Sequence, residues 1–412
     1  LLVLQLIAPY RGWRILLVGL GGMWLLSYLW ARSLAHGLQL VREMRFGWAQ
    51  VGDEMVERFT LANDGWAPAL WVEVEDRSTL PNYQAGRGTR VSAGRSVRWH
   101  TEAVCARRGL YTLGPTSLRT GDPFGLYTVT LDYAASLPLM VLPPIVPLPT
   151  IEVSPGGRTG EGRPRANAFE RTVSAAGVRE HVPGDSVRWI HWRTSARRDA
   201  LFVRLFDGTP ASDRWIFLDM DHAVQMGGGR DSTEEHGVIL AASLADQGLR
   251  SGWAVGLAAH GEQLVWLPPR DGEVQRWEIL RALAMVSLGA RPLVELLTRA
   301  GPALGQYASL VIVTPSSDTV WIEALVPLLR RGAIPTVLLL DPVSFDGTGD
   351  QGAIRASLTD LGVAHYVITR DLLDRPEIRP GQSQVWERMA AGSERSASFH
   401  QLPGAAWRVL SS

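Results

Sequence analysis

From residue 215 onward, short runs dominated by apolar residues alternate with segments whose apolar residues recur at helical spacing. The runs are WIFLDM (215–220), AVGLAAH (254–260), SLVIVT (309–314), PTVLLLD (335–341) and AHYVIT (364–369). They are short and lack polar alternation, the pattern of strands buried on both faces. Helical patterns fall between them at 233–250, 273–288, 292–305, 319–331 and 353–361. This βαβ rhythm predicts an open, largely parallel sheet with helices on both faces, placed at 209–375. In such sheets function sits beyond the carboxyl ends of the strands. Here those ends offer Asp219, Asp221 and His222, then Thr314, Ser316, Ser317 and Asp318, and later Asp341.

Upstream, 37–153 alternates with period two. MVERFTLAND, ALWVEVED and RSVRWHTEAV are separated by turn signals at Asn63-Asp64-Gly65 and Ala93-Gly94, which predicts a small all-β sandwich domain. Its exit, LPLMVLPPIVPLP, is proline-rich, and proline argues against a central strand there. Glycines and arginines crowd 154–168, and 154–176 is expected to be a flexible loop. Residues 376–412 are expected to form a C-terminal tail.

The first 36 residues are expected to hold a transmembrane helix or hairpin. Residues 15–30, ILLVGLGGMWLLSYLW, carry no charge and approach the ~20 residues needed to cross a bilayer. Trp13, Trp24, Tyr28 and Trp30 supply interfacial aromatics. The chain opens on Leu, and 1–9 is expected to be the end of a preceding helix. A cleaved signal peptide fits less well, because no small-residue cleavage site follows Trp30. Arg32, Arg42 and Arg45 favour a cytoplasmic location for the soluble domains at the cell membrane, although Arg11 and Arg14 pull the other way.

Composition narrows the chemistry. All 41 residues counted as Lys or Arg are arginine, so a Gly-Lys-Ser/Thr phosphate loop and a Schiff-base lysine are excluded. The formal net charge of zero argues against a general nucleic-acid binder. Cys105 is the one cysteine, which rules out an intramolecular disulfide.

The densest charge cluster is REHVPGDSVRWIHWRTSARRDALFVR (179–204). Pro183-Gly184 signals a turn, and Asp185 is placed to cap a short helix beginning at Ser186. A strand over ALFVRLFD follows. The expected job of 177–208 is to dock the two soluble domains, with Gly184, Asp185, Arg188, Trp192, Ser195 and Arg197 as its principal residues. A hydrolytic triad of His181, Asp185 and Ser195 lacks a nucleophile elbow. Arginines stacking with Trp189 and Trp192 on single-stranded nucleic acid fit poorly with a neutral, membrane-attached chain. A grip on an acidic partner or phosphate is compatible with docking.

This cluster, with the preceding RRGLYTLGPTSLRTGDPFGLY and LMVLPPIVPL, resembles the domain-of-unknown-function family 58. Gly184, Asp185, Arg188, Ile190, Trp192, Ser195, Ala196 and Arg197 fit that family's signature position by position. The resemblance implies a membrane-anchored bacterial protein with a von Willebrand factor A-like domain. It also implies a MoxR-type AAA+ ATPase as partner. Such domains often bind a divalent cation through Asp-x-Ser-x-Ser, a distant Thr and a later Asp. Asp219-Met220-Asp221-His222-Ala223 keeps the first Asp, replaces the first Ser with Asp and loses the second to Ala. Asp219, Asp221 and Asp318 are therefore the candidate metal ligands, and Mg²⁺ is the ion such oxygens would take. The expected function is that of a non-enzymatic scaffold or adaptor for protein–protein interaction. The alternative is a metal-dependent hydrolase using Asp219 and Asp221.

Overall fold

The computed structural model describes residues 10–44, 47–148, 151, 153, 175–181, 190–198, 200–206, 213–305, 308–372, 397–399 and 404–409. Expectations for 1–9, for the loop at 154–174, and for Gly184, Asp185 and Arg188 lie outside these residues. The chain divides into two compact units, one of 1–144 with 379–412 and one of 145–378.

The first unit opens with helix α1 (Arg11–Gly37). Among the described residues, α1 is the one helix long and apolar enough to cross a membrane. Its N-terminal part exposes Ile15, Val18, Leu20 and Trp24, while from Ser27 onward Ser27, Ala31, Leu34 and Ala35 are buried. That change of environment along one helix follows from what each part touches. Near the C-terminus, Ser33 Oγ accepts from the Ala67 N–H at 3.2 Å. A Cβ on Gly37 would stand 2.4 Å from the Gly65 nitrogen, so helix end and loop meet backbone to backbone.

The strands that follow are β1 (Leu38–Met44), β2 (Trp48–Gln50), β3 (Glu54–Asn63), β4 (Ala69–Asp76), β5 (Arg87–Val91), β6 (Arg95–Val104), β7 (Gly109–Leu113), β8 (Thr116–Gly121), β9 (Tyr127–Tyr133) and β10 (Leu137–Leu142). From the far end of the chain come β19 (Ala397–Phe399) and β20 (Gly404–Val409), supplied by the segment expected as a tail. They form sheets ordered β19-β1-β3-β6, β20-β9-β8-β4-β5 and β2-β10-β7. In β3 the buried side chains alternate with more exposed ones, as a half-buried strand requires. The buried residues Phe59, Leu61, Leu118 and Leu131 join Leu34 of α1 in one apolar core.

The proline-rich exit corrects the sequence expectation. β10 is the central strand of its sheet. Pro138 is tolerated because it pairs only with Thr112 of β7, while β2 joins from Met140 onward. The missing N–H therefore faces a side with no neighbouring strand.

The second unit contains β11 (Ala175–Glu180), helix α2 (Trp192–Arg198), β12 (Phe202–Phe206), β13 (Arg214–Leu218), α3 (Thr233–Arg250), β14 (Val255–His260), β15 (Leu264–Arg270), α4 (Gly272–Met285), α5 (Leu293–Ala300), β16 (Ser309–Thr314), α6 (Val320–Arg330), β17 (Ile334–Leu340), α7 (Gly352–Asp360) and β18 (Ala364–Ile368). Its main sheet has the order β15-β14-β13-β16-β17-β18. All neighbours are parallel except the β14–β15 pair. Every β13 residue is buried, which accounts for the apolar run Trp215–Leu218 that follows Arg214. One sheet face presents Phe217, Ile312 and Leu339 to Leu297 of α5, Leu325 of α6 and Leu358 of α7. On the other face, a Cβ on Gly237 of α3 would stand 3.1 Å from Leu218 and 3.7 Å from Val313. β15, with Pro268-Pro269, is an edge strand that the sequence pattern did not separate from its surroundings; prolines are admitted there because one side is unpaired.

Candidate functional site

After β13 the chain crosses by α3 to β14 on one side, while β16 lies against β13 on the other. The β13–β16 seam is therefore the topological switch point, where open α/β sheets hold their ligands. Asp219 follows β13 and Thr314 ends β16.

Across this seam Thr314 Oγ1 donates to Asp219 Oδ2 at 2.6 Å. The second carboxylate oxygen accepts from the Asp221 N–H at 3.1 Å. Asp219 is 4% exposed, and its pKa is pushed up to about 6. Burial is the largest cause and the nearby Asp221 charge adds to it, while the two hydrogen bonds oppose it.

The surrounding loops are tied to the same point. Gln225 Nε2 donates to the Asp219 carbonyl at 2.8 Å, and Thr233 Oγ1 donates to Gln225 Oε1 at 2.7 Å. Thr314 Oγ1 also accepts from Ser316 N at 3.0 Å, and Ser316 Oγ accepts from Asp318 N at 3.1 Å. Gln351 Nε2 reaches the carbonyls of Leu340, Pro315 and Ser316 at 3.0–3.3 Å, bracing the β16 and β17 ends together. Ser232 caps α3 by accepting from Glu235 N. Gln225, Thr233 and Gln351 carry much of this bracing, yet no spacing or residue-type signal singled them out.

Asp219, Asp221 and Asp318 all lie in these loops, and Asp219 is tied across the seam as well as within its own turn. Asp221 Oδ1 accepts from Ala223 N at 3.0 Å, and Asp318 Oδ1 accepts from Val320 N at 3.1 Å. Among the described residues, no three His, Cys, Asp or Glu side chains gather as a metal-holding group. One oxygen of each of these three carboxylates accepts from a backbone N–H within its own turn.

A second sequence candidate, the charge cluster, is described at 179–181 and from residue 190, and His181 N donates to the Leu201 carbonyl at 2.7 Å. Ile190 bridges to Val203 of β12, and β12 pairs antiparallel with β11. Ser195, 8% exposed, donates from Oγ to the His191 carbonyl at 3.1 Å and accepts from Phe202 N at 2.8 Å. Its hydroxyl fastens α2 to the following strand. Trp192 and Arg197 are exposed on α2.

The fold and its crevice define a doubly wound α/β unit with a polar, cross-braced switch point. A family model described as "Protein of unknown function DUF58" matches residues 177–338. That span runs from β11 into β17, so it holds both the charge cluster and the switch point. "Uncharacterized protein YeaD" of Bacillus subtilis (strain 168) is 27% identical over 266 residues, covering 62% of this chain and 64% of that protein. The chain thus spans less than two-thirds of that relative's length. Among solved structures, "Crystal Structure of beta-glucosidase from Listeria innocua in complex with glucose" aligns with a TM-score of 0.17 and 9% identity. It covers 25% of this chain and 16% of that one, a likeness too slight to bear on fold or function.

Proposed function

We propose that the chain is a membrane-anchored scaffold or adaptor whose von Willebrand A-like unit receives a MoxR-type AAA+ ATPase on the loops at the carboxyl edge of its parallel sheet. The observation that carries this is the cross-bracing of those loops: Thr314, Gln225 and Gln351 hold three strand ends in one arrangement. A pre-ordered edge of this kind lowers the ordering cost of binding a protein partner. The open sheet, the acid after its first strand and the DUF58 match support the von Willebrand A-like assignment. Exposed apolar residues along α1 support anchoring in the cell membrane, and Arg32 just beyond them favours cytoplasmic soluble units.

Affinity capture tests the partnership. Full chain in detergent, mixed with a purified MoxR-type ATPase, retains it, and EDTA leaves the complex intact. Failure to retain it contradicts the proposal.

The metal-dependent hydrolase remains the second reading, favoured by Asp219 and Asp221 standing together just past the carboxyl end of β13, where Asp221 N–H donates to Asp219 Oδ1 at 3.1 Å. It requires Mg²⁺ or Mn²⁺ binding that Asp219→Ala abolishes, measured by calorimetric titration, together with ester turnover.

A further inference from the structure

The β-rich first unit exposes aromatic and aliphatic side chains at the end where α1 enters it. Trp66, Leu70, Trp71 and Phe124 are 59%, 54%, 42% and 53% exposed. Their common location follows from the fold. Trp66 lies in the loop between β3 and β4 and makes an edge-to-face contact with Trp30 of α1 at 5.8 Å. Leu70 and Trp71 stand near the start of β4, where Thr120 Oγ1 donates to the Trp71 carbonyl at 2.5 Å. Phe124 sits in the turn from β8 to β9, and β9 begins at Tyr127, whose ring meets Tyr28 of α1 at 6.0 Å.

The exposure of Phe124 is built into this turn. Asp122 is buried, and its two carboxylate oxygens accept from Phe124 N at 2.9 Å and Tyr127 N at 2.6 Å. That clamp holds the backbone in place while the ring faces outward.

The helix supplies the reason for an apolar end. From Arg11 to Ser27, the first buried residue, α1 runs about 25 Å at 1.5 Å per residue. A bilayer core of about 30 Å around this segment would end close to Tyr28 and Trp30. Those are the residues that touch Tyr127 and Trp66. Tryptophan is favoured at that depth, where an apolar ring with a polar edge meets headgroups, and Phe and Leu suit the acyl boundary just beneath. Arg32 and Arg95 are exposed at the same end and suit lipid phosphates, with Asp64 the opposing exposed charge.

We propose that this end of the first unit, through Trp66, Leu70, Trp71 and Phe124, seats in the headgroup layer of the bilayer that α1 crosses. The proposal rests on the membrane-anchoring reading above and adds a second, peripheral contact to it. α1 then anchors the unit while the loop end restrains its tilt.

The test uses the full chain with Cys105→Ser, bearing Leu20→Cys, Trp66→Cys, Phe124→Cys or Val104→Cys one at a time. Val104 is exposed at the opposite end of β6 from Arg95, nine residues and roughly 30 Å away. Each variant carries a bimane label in phosphatidylcholine nanodiscs, with nitroxides on either headgroups or acyl chains. Expected is quenching of about two-fold or more by headgroup nitroxide at positions 66 and 124, as for side chains lying 5–10 Å deep. Position 104 stays unquenched, and position 20 is quenched by acyl-chain nitroxide. Quenching at 20 with positions 66 and 124 indistinguishable from 104 overturns the surface contact while leaving the anchor standing. No quenching at 20 overturns both.

Discussion

Thr314 gives its hydroxyl proton to Asp219 across the seam between β13 and β16, with Oγ1 and Oδ2 2.6 Å apart. Both groups are buried, so the bond operates where an unmet carboxylate is costly. Thr314→Val keeps the side-chain shape and removes the donor. The expected loss is about 1–3 kcal/mol, read as a lower urea midpoint with an unchanged m-value. Thr314→Ser, which keeps the hydroxyl, retains most of the stability.

Asp219 also gives the second unit a pH dependence. Its carboxyl is raised from the ordinary 3.8 to about 6, chiefly by burial. Between about pH 4 and pH 6 the folded form therefore holds more protons than the unfolded one. Stability from this group is greatest in acid and falls as pH rises through that window. On lowering pH from 7 to 5, the wild type gains about 1 kcal/mol relative to Asp219→Asn. Urea titrations of both proteins at the two pH values measure the difference; a constant difference contradicts the assignment.

Gly289 fixes the loop carrying Asp221. Its N–H donates to the Met220 carbonyl at 2.9 Å, and its carbonyl accepts from His222 N at 2.8 Å. A Cβ here would stand 2.2 Å from the Gly261 backbone. Gly289→Ala forces those backbones apart and is expected to cost about 1–3 kcal/mol, visible as a lower thermal midpoint.

In the first unit, Arg42 of β1 ties one sheet to another. It pairs with Glu57 of β3, donates to Asp76 of β4 at 2.8 Å and reaches Thr116 of β8 at 3.2 Å. Tyr83 donates to Glu57 as well, and burial together with that carboxylate pushes its phenol pKa upward. Arg42→Met leaves two buried acids without their cation and is expected to cost about 3–5 kcal/mol. Arg58→Met, on the exposed face of β3, changes stability by about 0.5 kcal/mol or less. Denaturation of the two variants side by side makes the comparison.

How much of this was legible in the sequence depended on how local the cause was. The runs that became β13, β14, β16 and β17 were readable because strands buried on both faces need near-continuous apolar residues; β18 shares the rhythm but, as the edge strand, leaves Ala364 and Val367 exposed. Asn63-Asp64-Gly65 was readable too: Asn63 Oδ1 accepts from Gly65 N at 3.0 Å, a bond made within the turn itself. β10 was not, because Pro138 is acceptable only once the point at which β2 joins is known. Asp219 stood out as an acid ending a strand. Gln351 did not, since its three carbonyl partners come from the end of β17 and the loop after β16 and such convergence leaves no periodic trace. Asp318 is held locally, its Oδ1 accepting from Val320 N at 3.1 Å within its own turn.

Hydrogen exchange of the full chain, with and without a MoxR-type AAA+ ATPase, tests the central claim most directly. A partner seated on the carboxyl edge of the sheet is expected to slow exchange in 219–233, 314–320 and 341–347, the loops that follow β13, β16 and β17. Amides within the strands are already protected by the sheet and change little. Protection confined to those loops supports the account. Protection only elsewhere on the chain, or no change at saturating ATPase, contradicts it.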